Sequence, residues 1–68
     1  MFVVTLKLDM RETNDLLVAL EEHLHGLRVE LASADSREFR DQLRGRLDRL
    51  EAIAARLRPA AAAPAQAP

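Results

Sequence analysis

The chain reads as a mainly α protein, in which an N-terminal β-strand precedes an antiparallel two-helix hairpin and two copies dimerise into a four-helix bundle with a two-stranded ribbon. Three observations predict this. FVVTLKL at residues 2–8 alternates with a period of two, two longer stretches carry leucines that step by four and three, and the polar ASADS at residues 32–36 stands between those stretches.

In the first element Phe2, Val4, Leu6 and Leu8 share one face, with Val3, Thr5 and Lys7 on the other. The residues are mostly large or β-branched, so a strand is predicted over residues 2–8. Asp9 is followed three positions later by Glu12, the spacing of a capping box, and a helix is predicted over residues 10–32. Its stripe is Thr13, Leu17, Leu20, Leu24, Leu27 and Leu31, widened by Leu16 and His23. Gly26 lies within this helix and costs about 1 kcal/mol relative to alanine, too little to outweigh the stripe.

ASADS is a boundary rather than an interruption, because Asp35 and Glu38 repeat the capping spacing and Ala34 and Phe39 sit where a hydrophobic staple would. The second helix, predicted over residues 36–58, carries Phe39, Leu43, Leu47, Leu50, Ala54 and Leu57. It is expected to stop at Arg58, since proline disfavours helical geometry in the residue before it. The tail, residues 59–68, is rich in alanine and proline and is expected to be disordered, which leaves residues 1–58 as the folded unit.

Two helices of nearly equal length joined by so short a loop must fold back on each other. A turn centred near Ser33 and Ala34 makes facing positions sum to about 67, which pairs Leu24 with Leu43, Leu20 with Leu47, Leu17 with Leu50 and Met10 with Leu57.

A hairpin of two helices shares a single seam, and a lone strand leaves both of its edges unpaired. Leu16, His23, Phe39 and Ile53, with the strand face, therefore need a second surface, and another copy of the chain is the expected one. The residues expected to carry self-association are Phe2, Val4, Leu6, Leu16, Leu17, Leu20, Leu24, Leu27, Phe39, Leu43, Leu47, Leu50, Ile53 and Leu57.

Composition narrows the function classes. The 68 residues include no cysteine, which excludes disulfides and thiolate metal sites. The net charge of −1 argues against a chain devoted to coating nucleic acid or anionic membrane. No stretch approaches the roughly 20 apolar residues of a membrane span, and MFVVTLKLDM lacks the basic start of an export signal, so a soluble cytoplasmic protein is expected. The abundance of alanine and of arginine over lysine, with Lys7 the one lysine, suggests a GC-rich bacterial genome.

His23 and His25 form an H-x-H pair, but residues two apart on a helix face different ways, so metal binding is not expected. Glu21, Glu22 and Glu30 have no nucleophile or convergent base beside them, and no Gly-rich loop, nucleotide motif or serine elbow occurs. An enzyme is not expected, nor a cofactor. Residues 1–34 carry three basic and six acidic groups, whereas residues 35–68 carry seven and five. The two halves are complementary in charge. Arg37 with Asp41 and Arg44 with Asp48 are spaced for i,i+4 pairs, and the predicted register sets Glu21 or Glu22 against Arg46.

LRVELASADSREFRDQLRGRL resembles a group of small, mostly uncharacterised bacterial proteins in which a strand precedes a helical hairpin. The resemblance spans Val3 to Leu57 and implies a fold but no activity. A looser resemblance is to ribbon-helix-helix repressors, whose strands pair across a dimer and read bases. Here the reading face would be Val3, Thr5 and Lys7, which offers few donors, and both helices are long for that family. The expected function is a homo-oligomeric interaction or scaffold module. A DNA-binding regulator, or an accessory subunit docking on another protein, is the alternative.

Overall fold

The computed structural model describes residues 2–62. It is a helical hairpin: α1 spans Met10–Ser33 and α2 spans Arg37–Ala62. The expected strand over residues 2–8 is not formed, and these residues carry no regular secondary structure. A strand is defined by its ladder of hydrogen bonds to a neighbour, and among the described residues no second strand supplies one.

The start of α1 follows from the predicted capping box. The Glu12 amide donates to Asp9 Oδ1 at 2.8 Å, and the Asp9 amide donates to Glu12 Oε1 at 3.0 Å, so two otherwise orphaned groups are satisfied reciprocally. Thr13 is buried in the seam because its hydroxyl donates to the Asp9 carbonyl at 2.8 Å. A polar group without such a partner would be costly there.

At the other end α1 runs one residue beyond the expected position 32. Ala34 closes it in extended geometry, φ −71° and ψ 129°, with its amide on the Leu31 carbonyl at 3.3 Å. The cap of α2 differs from expectation. Ser36, not Asp35, holds the helix start, its hydroxyl accepting the Phe39 amide at 3.3 Å. The staple expected of Ala34 and Phe39 gives way to a polar clasp in which Arg40 donates to the Ala34 carbonyl at 2.9 Å. Ala34 is buried and Phe39 is exposed.

The helix also does not end at Arg58. Pro59 sits inside α2, which continues to Ala62. The proline removes one backbone hydrogen bond in the last turn, and the alanines that follow are the strongest helix formers. Of the tail expected to be disordered, residues 59–62 are thus helical and residues 63–68 lie outside the described residues.

The core is one seam between the two helices. Leu24 and Leu27 are fully buried, with Leu43, Leu47 and Ala54 beside them and Leu17, Leu31 and Leu50 packed at the edges. The register differs from the expected 67. Arg28 meets Glu51 and Glu21 meets Arg58, position sums of 79 in both cases. Ala61 borders one shallow depression with Met10 and Asn14, sums of 71 and 75. A sum of about 74 is the value near these that returns both stripes to the seam, which by the spacing sets Leu31 toward Leu43, Leu27 toward Leu47, Leu24 toward Leu50, Leu20 toward Ala54 and Leu17 toward Leu57. The offset from 67 is one heptad, which returns the same stripe to the seam.

Candidate interaction surface

The molecule measures 51 × 29 × 14 Å, so it is one helix thick and both broad faces of the hairpin are open. Side chains advance about 100° per residue, which assigns each position flanking the seam to one face or the other. The faces differ in chemistry.

One is ionic. The Arg28 guanidinium donates to Glu51, and Arg58 grips Glu21 with Nε and a terminal nitrogen at 3.1 and 3.2 Å while lying 4.0 Å from Glu51. Arg40 and Arg44 share an open depression of about 800 Å³ with Arg28, Asp48 and Glu51 on this face. The hydrogen bond from Arg58 holds the Glu21 carboxyl below its ordinary pKa and raises the Arg58 guanidinium. These groups are exposed, so the pairs order the surface more than they stabilise it.

Glu21 pairs with Arg58, where the sequence suggested Arg46, because Glu21 and Arg58 flank the seam on the same side and Arg46 flanks it on the other. Arg37 with Asp41 and Arg44 with Asp48 do not form ion pairs; among the described residues the pairs within 4.0 Å are those of Arg28 and Arg58. Their i,i+4 spacing permits contact without requiring it, and at the surface the ordering of two long side chains offsets the small gain.

The opposite face carries Leu16, His23 and Glu30 along α1 and Phe39, Arg46 and Ile53 along α2, each set spaced by a heptad. Leu16, Phe39 and Ile53 are 37, 46 and 40% exposed. Leu20, Leu50 and Leu57 are half-buried and extend the apolar area into the seam. His23 is exposed rather than a seam residue, since the single hairpin packs nothing over it. His25 is exposed as well, and among the described residues no three of histidine, aspartate and glutamate gather as a metal set.

The N-terminal arm is a second apolar surface. Phe2, Val3, Val4 and Leu6 are between 70 and 86% exposed, and Leu8 is half-buried where the arm meets α1.

The residues expected to self-associate thus separate into two groups. Leu24, Leu27, Leu43 and Leu47 are buried within the hairpin and are not available to a partner. Phe2, Val4, Leu6, Leu16, Phe39 and Ile53 are exposed, and Leu17, Leu20, Leu50 and Leu57 lie between the two groups. Val18 and Val29, 50 and 57% exposed on the outer side of α1, fall outside the predicted stripe. No helix among the described residues is long and apolar enough to cross a membrane. Comparison with family models, with curated proteins and with solved structures finds no match.

Proposed function

We propose that this chain is an interaction module that works by self-association, its face of Leu16, Phe39 and Ile53 and its N-terminal arm each meeting the same surface on a second copy. The observation that carries this reading is the extent of uncovered apolar surface. Leu16, Phe39 and Ile53 are 37, 46 and 40% exposed on one face, and Phe2, Val3, Val4 and Leu6 of the arm are 70–86% exposed, more contiguous apolar surface than two helices with one seam can cover by themselves. In this reading residues 2–8 become a strand on association, two arms pairing as an antiparallel ribbon, and the hairpins stack as a four-helix bundle.

Sedimentation equilibrium at micromolar protein tests this, together with the melting temperature across a range of concentrations. The expected results are a dimer or higher oligomer and a melting temperature that rises with concentration. A folded monomer whose melting is independent of concentration overturns the proposal.

A further inference from the structure

We infer how the two copies are arranged: a two-fold axis parallel to the helices lays α1 of one copy on α2 of the other, with both arms at the same end. The inference rests on the self-association proposed above and adds its geometry. Stacking two hairpins by their apolar faces allows two symmetric orientations. An axis along the helices sets α1 over α2. An axis across them sets α1 over α1 and α2 over α2, with the arms at opposite ends about 36 Å apart, the length of α1.

Charge favours the first. From its cap at Asp9 to Ser33, α1 carries Arg11 and Arg28 against six acidic residues, net −4, whereas α2 carries seven arginines against four acidic residues, net +3. Like helices stacked on like bring each net charge against itself; unlike helices bring opposite charges together.

The face itself gives the same answer. With facing positions near 74, the flanking residues follow one another from the arm end as Leu16, Ile53, His23, Arg46, Glu30 and Phe39. An axis along the helices keeps every residue at its own level on the opposite helix. Glu30 then lies within about 3 Å, along the axis, of Arg46 of the second copy. Ile53 of the second copy enters between Leu16 and His23, about 7.5 and 3 Å away along the axis, so opposite charges meet and Ile53 faces no charged arginine. The crossed orientation, at full overlap, carries Glu30 toward the Leu16 end and sets the Arg46 guanidinium against Ile53 of the second copy, charge against apolar. The same arrangement brings both arms to one end, which the ribbon proposed above for residues 2–8 requires.

The chain has no cysteine, so single-cysteine variants report position directly. Glu30→Cys and Arg46→Cys, each first confirmed as a dimer by sedimentation, are mixed, unfolded, refolded together and oxidised. The expected product is the mixed disulfide, with little adduct from either variant alone. An Arg46→Cys self-adduct, or dimers that give no mixed adduct, overturns the arrangement while leaving self-association intact. A wild-type monomer in the same centrifuge overturns self-association itself and the arrangement with it.

A charge exchange gives a second readout. Glu30→Arg or Arg46→Glu alone should weaken dimerisation about tenfold, since symmetry removes two pairs per dimer, and the double exchange should restore it. A double variant as weak as the singles overturns the arrangement.

Discussion

Arg58 and Glu21 are 37 positions apart in sequence and joined by two hydrogen bonds, the guanidinium meeting both carboxylate oxygens at 3.1 and 3.2 Å. This fork spans the hairpin toward its open end, one residue before the proline at which the helix was expected to stop. It marks the register. Arg46 flanks the seam on the other face, so no heptad slide of the two helices would bring it to Glu21.

The pair predicts a pH and salt response. The folded pKa of Glu21 lies below its ordinary value of 4.5, chiefly through the hydrogen bond from Arg58. A lowered carboxylate pKa contributes stability that is present above that value and lost as pH falls through the folded one. Glu21→Gln should therefore lower the melting temperature slightly at pH 7 and low salt. The difference from wild type should shrink in about 1 M salt and vanish in acid below the carboxylate range. Melts of both proteins across pH and salt check this.

Leu24 is completely buried at the middle of the seam. Replacing it by alanine should cost on the order of 2–5 kcal/mol from lost transfer energy and the cavity left behind. In a domain with one seam that loss should abolish most of the helical circular dichroism signal at room temperature.

Leu16 and Ile53 are exposed in the single hairpin, and the opposite behaviour is expected of them. Leu16→Ser with Ile53→Ser should leave the helical content of the hairpin recognisable at high protein concentration. It should shift the sedimentation profile strongly toward monomer, because it removes apolar surface that only a second copy covers.

Two backbone substitutions should stabilise. A Cβ added at Gly26 meets nothing within 4 Å, so Gly26→Ala should gain about 0.5–1 kcal/mol from helix propensity. Pro59→Ala restores an amide donor inside α2 and should raise the melting temperature, by at most about 3 kcal/mol in free energy. Chemical denaturation of each variant gives the comparison. A neutral Pro59→Ala would mean that the last turn of α2 is frayed in solution.

The local elements were legible in the residues alone, because capping and periodicity are short-range physics. Asp9 and Glu12 are close enough in sequence to form their capping box without help from the rest of the chain, and leucines at steps of three and four define which side of each helix is buried. ASADS separated the helices, but Ser36 rather than Asp35 caps the second. The register was decided only in three dimensions. A heptad stripe maps onto itself when the partner slides by seven residues, so sums of 67 and 74 both put apolar on apolar. The observed register is seen in the pairing of Glu21 with Arg58 and of Arg28 with Glu51, and in the continuation of α2 past Pro59, which sets Ala61 beside the depression lined by Met10. The arm marks the same limit: its alternation of Phe2, Val4 and Leu6 shows which side of a strand would be apolar, but a strand also needs a neighbouring backbone, and the single hairpin offers none.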